Sequence, residues 1–406
     1  MNRINLKNAE IHGTHFDKLQ IFLDDDGNVI LLPMLWAIHV SNTGSVFGWH
    51  KRITFNSSSS KFKNQKTHQV EKYFELRPVS ENTINNYFGH LFNFFKYINK
   101  LNKETRTPSV HLSELVNSKL INHYLNVILP DKLLSSSSLN AHQAAISAYN
   151  SFLHELEIKD VVLSTIYRKT RQLIAELDSR PKKMNYLSRS ERILLLQTCS
   201  SYRDRLILRM GFEVGLRTEE NKGLVLNDFK AKNVVQKGLL TLFNDLYRYP
   251  SKQSFEFVLS GKYSKGSKTR NIYFDRELLI AMKKYHDNER LIVEQTSQRL
   301  SDSLFLRTDS VGIGLPINTE QASNTFSKVL NQCSNINSQL SYHDLRHTFA
   351  TELYHSELLN QEGRETRSES AALIVVSERL GHKDLSTTRR YIRLRQQMLI
   401  IENDSL

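Results

Sequence analysis

Apolar residues recur at steps of three and four through much of the chain, most clearly from Ser80 onward. There Ile84, Tyr87, Phe88, Leu91, Phe92, Phe95 and Ile98 line up on one face. This spacing predicts an amphipathic helix with an aromatic-rich buried side. A second helix is predicted over Leu112 to Ile128, stopping before Pro130. A third covers Leu139 to Leu153, where Ala141, Ala144, Ala145, Ala148 and Phe152 form a stripe narrow enough for close packing. A fourth covers Leu163 to Leu177, with Arg168, Lys169 and Arg171 on its polar side.

Ahead of these helices the pattern is shorter. Leu19 to Leu23 reads as a strand, Asp24 to Gly27 as a turn and Val29 to Leu32 as a return strand. A short helix over Leu35 to Val40 and a Ser/Lys/Asn-rich connector over Ser57 to Lys66 follow. Residues 1–66 are therefore either a small arm that touches DNA or partner subunits, or a β-ribbon packed on the next domain. Residues 67–178 form a helical domain. A polar, basic, proline-containing stretch at 179–187 reads as a linker, and 188–406 as a second domain.

In the second domain Ser188 to Cys199 is a capped helix and Arg203 to Glu213 another. Period-two alternation at Phe255, Phe257 and Leu259, and again at Ile272 and Phe274, predicts two strands joined by a lysine-rich hairpin. Near the end, Ser341 and Asp344 have the spacing of a helix start, ahead of Leu345, Phe349 and Leu353. His343 and Arg346 then share one face of the first turns, where the helix dipole favours an anion. Gly381 marks a helix end, and Ser386, Thr387 and Thr388 are possible caps for a further helix carrying Tyr391. Arg389, Arg390, Arg393 and Arg395 surround that tyrosine. In a positive field its phenol is expected to ionise below the ordinary pKa of about 10, which suits a nucleophile.

Composition narrows the partners. Among 406 residues, Lys plus Arg number 55 and Asp plus Glu 42, an excess of 13 that points to a polyanion and most simply to nucleic acid. The two cysteines, Cys199 and Cys333, lie far apart without metal-ligand spacing, so neither a disulfide framework nor a zinc site is expected, and a reducing compartment is. The longest apolar run, Val29 to Ile38, is interrupted by Pro33 and falls short of the roughly 20 residues a membrane helix needs. The expectation is a cytoplasmic, nucleoid-associated protein that does not engage a membrane.

The strings His343-Asp344-Leu345-Arg346-His347 and Leu380-Gly381-His382, with a tyrosine nine residues beyond the latter, resemble the tyrosine recombinase (phage integrase) family. Two further strings resemble the same family. Gly215-Leu216-Arg217-Thr218-Glu219-Glu220 is similar to its G-L-R-x-x-E box. Lys265-Gly266-Ser267-Lys268-Thr269-Arg270 is similar to its hairpin K-G-x-K-x-R, with Lys262 and Lys268 as neighbouring alternatives for the lysine. One departure is the interval of 36 residues from Arg346 to His382, longer than the family usually shows, which reads as a surface loop or helix over Ser356 to Ser370.

The resemblance implies a mainly α fold with a small β-sheet or hairpin in the catalytic domain. A helical core-binding domain would be joined to a mixed α/β tyrosine-recombinase catalytic domain. It implies Arg217, Lys265, His343, Arg346, His382 and Tyr391 as catalytic residues, Glu220 as structural, and no cofactor or metal. The implied activity is site-specific recombination or integration of double-stranded DNA through a 3′-phosphotyrosine, by a homo-tetramer on two sites with possible accessory proteins. A type IB topoisomerase and a catalytically inactive DNA-binding regulator of the same fold are the alternatives.

Overall fold

A computed structural model describes residues 1–56, 67–105, 117–132, 135–160, 164–178, 185–231, 234–264, 268–360, 363–382 and 387–403. The chain divides into two compact units, Met1–Lys182 and Lys183–Leu406, which are mainly helical with two-stranded antiparallel ribbons. That is the fold class the sequence predicts. The proposed linker lies largely, and the connector 57–66 wholly, outside the described residues.

The first unit opens with β1 (Asn2–Ile11) and β2 (Thr14–Leu23), antiparallel and joined through His12 and Gly13. Both turn residues have positive φ, 47° and 75°, the backbone twist that a two-residue hairpin turn requires. The strand expected over Val29 to Leu32 is not formed. Val29 makes a single bridge to Leu23, and α1 (Leu31–Thr43) begins at once, with Pro33 in its first turn where no amide donor is needed. β2 takes its partner from β1, which is exposed along most of its length and whose short alternations, Ile4/Leu6 and Ala9/Ile11, are put out of phase at Asn8, where φ is +50°.

A longer ribbon follows, β3 (Ser45–Asn56) against β4 (Thr67–Pro78). Then comes α2 (Glu81–Thr105), whose buried stripe is Tyr87, Phe88, Leu91, Phe94, Phe95 and Ile98. α3 (Ser118–His123), capped by Asn117, runs on through a wide helical turn over Tyr124–Ile128. Residues 112–116 of the helix expected there lie outside the described residues. α4 (Ser136–Glu155) spans the alanine stripe and is capped by Ser135.

α5 (Arg168–Asp178) begins later than periodicity predicts. Asn122 and Asn126 hold the preceding backbone extended: their carboxamide oxygens accept from Thr165 N (2.8 Å) and Tyr167 N (2.7 Å). Side-chain amides that replace helical partners in this way compete directly with helix formation.

Trp36 is fully buried and meets Phe88 edge-on, with ring centroids 4.9 Å apart, and Tyr149 at 6.1 Å. Elements from residues 1–56 thus share one hydrophobic core with α2, α3, α4 and α5.

The second unit contains α6 (Arg189–Thr198), started by a Ser188/Glu191 capping box, and α7 (Tyr202–Phe212). Next are the short pair β5 (Phe229–Ala231) and β6 (Val234–Gln236), then α8 (Leu239–Arg248). The expected hairpin is β7 (Ser254–Leu259) with β8 (Arg270–Asp275). α9 (Arg276–Tyr285) and α11 (Gln321–Leu330) complete the main core around α7, while α10 (Leu291–Ser297) buries no residue in it.

α12 (Tyr342–Leu358), α13 (Glu369–Leu380) and α14 (Arg390–Asn403) enclose a second, smaller core. The long interval before His382 is taken up by the rest of α12, a bridge from Leu359 to Glu365, and α13. Among the described residues no helix is long and apolar enough to cross a membrane.

Trp36→Ala should destabilise the first unit by about 3 to 5 kcal/mol, the usual cost of removing a buried large aromatic. Denaturant unfolding reads this directly. A loss below about 1 kcal/mol would mean that α1 is not part of a cooperative core.

Candidate active site

α12 starts as its sequence predicts. The Asp344 carboxylate accepts from the Ser341 amide and hydroxyl, both at 2.8 Å. The negative group at this helix start is therefore Asp344 itself. One turn on, Arg346 is fully buried, with its Nη2 donating to Leu380 O at 2.6 Å and its Nη1 to Gly215 O. Gly215 has φ +72°, and a Cβ there would lie 2.4 Å from the Phe349 ring. Only glycine lets the chain pass so close to α12 and turn this carbonyl to the guanidinium.

Glu220, fully buried, is the acceptor the cations share. Arg270 donates from Nη1 and Nη2 to its two carboxylate oxygens at 2.7 Å each. Arg217 donates from Nη1 at 2.8 Å and from its backbone amide at 2.8 Å, and Arg346 Nη1 lies 3.4 Å away. Burial pushes the Glu220 carboxyl up, but the hydrogen bonds and charge of Arg270, then Arg346 and Arg217, outweigh it and bring the pKa to about 2. Burial lowers the Arg346 pKa to about 9, which leaves the guanidinium charged at neutral pH. Its Nε is buried without a hydrogen-bond partner among the described residues. The Arg217 side chain keeps 23% of its surface exposed.

Tyr391 sits at the start of α14 and is buried, 1% exposed. Its hydroxyl lies 3.3 Å from His347 Nδ1, and its ring is nearly parallel to that of His382, centroids 6.3 Å apart. Gly381, with φ +64°, ends α13 and turns the chain so that the His382 amide donates to Ser377 O at 2.9 Å. His382 Nδ1 is 2.9 Å from the hydroxyl of buried Thr388. His343 meets His347 edge to face, with centroids 4.5 Å apart.

Five of the six expected site residues thus fall in one neighbourhood of the second unit: Arg217, His343, Arg346, His382 and Tyr391. Lys265 and Ser386 lie outside the described residues.

The expectation that arginines ionise the Tyr391 phenol is corrected by the structure. Burial raises its pKa, and Arg346, Arg390 and Arg217 offset this only in part. The imidazoles move the other way. Burial, then neighbouring positive charge, lowers His347 and His382 to about 3. His343 is exposed on one side, and burial of its inner edge together with Arg346 and Arg217 brings it to about 4. All three rings are neutral at pH 7 and each can accept a proton.

Arg270 and His347 are the two polar members that lie within the quoted strings but were expected to have no role in the site. A signal for the first was present: Arg270 shares the inward face of β8 with Ile272 and Phe274, a position where a charge requires a buried partner. Among the described residues no group of three His, Cys, Asp or Glu side chains comes together to hold a metal ion.

The phage integrase family model matches residues 185–398. Transposase A from transposon Tn554 of Staphylococcus aureus is 24% identical over 355 residues, covering 80% of this chain and 86% of that protein. The tyrosine recombinase XerD of Oceanobacillus iheyensis is 24% identical over 339 residues, covering 81% and 95%. A crystal structure of the XerH site-specific recombinase bound to palindromic difH substrate, a post-cleavage complex, has the same fold. Its TM-score is 0.50 at 20% identity, covering 79% of this chain and 80% of that one.

Because the folded Glu220 pKa lies near 2 and the unfolded one near 4.5, the carboxylate's stabilisation is full above pH 4.5 and lost as pH falls through about 2. Glu220→Gln should cost about 3 kcal/mol at pH 7, since it leaves buried guanidiniums without a counter-charge. The difference between wild type and variant in chemical unfolding should shrink from pH 4.5 downwards. A difference that stays flat across this window would show that Glu220 is not the ionised hub.

Proposed function

The chain belongs to the phage integrase family of tyrosine recombinases, and from that premise we propose that it is a site-specific DNA recombinase acting through a covalent tyrosyl intermediate. The observation that carries this reading is the placement of the Tyr391 hydroxyl against a neutral imidazole, in the positive field of Arg346 and Arg217, which meet on one carboxylate.

The reaction follows from the charges. A phosphodiester is a monoanion, and attack on phosphorus adds negative charge to its non-bridging oxygens. Arg217 and Arg346 stabilise that charge through forked N–H donors, for which the unpartnered Nε of Arg346 and the exposed part of Arg217 are suited. Tyr391 attacks, and the O5′ atom leaves with a proton supplied by Lys265. His382 holds the phosphate or the nucleophile by a hydrogen bond, and His343 belongs to the acid–base group beside it.

The product is a 3′-phosphotyrosine with a free 5′-hydroxyl. Its ester keeps the energy of the bond broken, so a 5′-hydroxyl of another strand can reverse the attack and join to it. The scheme consumes no ATP and calls on no divalent ion. Exchange between two sites needs four nucleophiles, so the active assembly is a homo-tetramer on two duplexes, with accessory proteins a possible addition. The helices of 67–178 supply duplex contacts and 188–406 the chemistry.

A nicked suicide substrate carrying the cognate site, followed by a denaturing gel, tests the proposal. Wild type should form a covalent protein–DNA adduct and Tyr391→Phe none. Arg217→Ala should form it roughly 10²- to 10³-fold more slowly, the usual loss of an oxyanion donor. If wild type binds the site without forming adduct, the chain is a DNA-binding regulator.

A further inference from the structure

The residue against the nucleophile is His347, a position to which the motif reading gave no role. Its ring is buried on the second turn of α12, with Nδ1 facing the Tyr391 hydroxyl at 3.3 Å and ring centroids 5.8 Å apart. His343, to which the acid–base role was given, lies one ring further away, edge to face against His347. We infer that His347 is the catalytic base, the group that holds the Tyr391 hydroxyl and takes its proton as the bond to phosphorus forms.

In the tautomer with its proton on Nε2, His347 offers the Nδ1 lone pair to the phenol O–H. As the tyrosyl oxygen bonds to phosphorus, its O–H bond breaks and the proton moves to Nδ1. The P–O5′ bond breaks, and its electron pair leaves on O5′, which takes a proton from the Lys265 ammonium. On rejoining, the imidazolium returns its proton to the departing phenol.

The groups facing His347 are Arg346 and His343 on its own helix, Tyr391 and Arg390 on α14, and His382 beyond α13. Without substrate, burial and then this cationic surround keep the ring neutral and able to accept. The negative charge that gathers on the phosphoryl oxygens in the transition state offsets the same surround when the imidazolium forms.

This inference rests on the proposed strand-transfer reading, and the experiment separates the two. Adduct formation on the suicide substrate is timed from pH 6 to 9 for wild type, His347→Ala, His347→Asn and Lys265→Ala. Each is run with an ordinary 5′ oxygen and with sulfur at the bridging 5′ position, which leaves without a proton. Filter binding of the uncut site checks that each variant is folded, and His347→Asn serves if His347→Ala is not.

Both His347 variants should be slower by roughly 10²-fold or more, the usual worth of a general base. The deficit should persist with the sulfur substrate and narrow as pH rises, whereas the Lys265→Ala deficit should vanish with sulfur. A His347→Ala rate within twofold of wild type overturns the inference. So does rescue by sulfur, or full activity of His347→Asn, which would leave His347 only a positioning role. A wild type that forms no adduct removes the strand-transfer reading and this inference together; a wild type that does, beside an unaffected His347→Ala, removes the inference alone.

Discussion

A single buried carboxylate organises the second unit's reactive end. Glu220 accepts from Arg217 beside it in sequence and from Arg270 on β8, and Arg346 on α12 lies within ion-pair reach. Arg346 in turn donates to the last residue of α13, and Arg270 Nε donates to Arg379 O in the same helix at 3.1 Å. Four segments distant in sequence are therefore fixed by one side chain. Three guanidiniums against one carboxylate leave an excess of positive charge in a largely dry place, which is costly for a fold unless an anion comes to share it. The same excess suits the proposed reaction, in which negative charge gathers on phosphoryl oxygens.

Burial and field act in opposite directions on the groups near that excess, and the outcome differs by residue type. For an imidazole both effects disfavour the charged form, so His343, His347 and His382 are all neutral. For a phenol they compete, and around Tyr391 burial prevails. Tyr391 therefore waits as a hydroxyl, and in the proposed reaction its activation depends on an acceptor at contact distance more than on a pre-formed phenolate. The charge pattern of the sequence, read without burial, gives the opposite answer.

What was legible in the sequence is what depends on near neighbours along the chain. The Ser341/Asp344 start, the Gly381 stop, the aromatic stripe of α2 and the β7–β8 hairpin all follow from local periodicity and capping. What was not legible depends on distant partners. The alternation of β1 changes phase at Asn8, between Ile4/Leu6 and Ala9/Ile11, so no single period runs through the strand, and its pairing to β2 sets its register. The late start of α5 is set by Asn122 and Asn126, some forty residues earlier. Arg270 and His347 acquire meaning only when Glu220 and Tyr391 are beside them. The two strings of candidate site residues stood out because so many of those groups lie within a few residues of one another.

That clustering has a consequence for how such a chain can change over time. Tyr342, His343, Arg346 and His347 are carried by the first two turns of one helix, where each added residue rotates everything beyond it by about 100°. An insertion or deletion there would swing the guanidinium and both imidazoles off their targets at once, with no adjustment of one able to restore the others. Beyond Leu358 the chain is free of this constraint, and its bridged turn can lengthen or shorten at little cost. Length variation among descendants should thus collect between the two strings and spare their interiors, so that a written motif records which stretches of backbone cannot be re-phased.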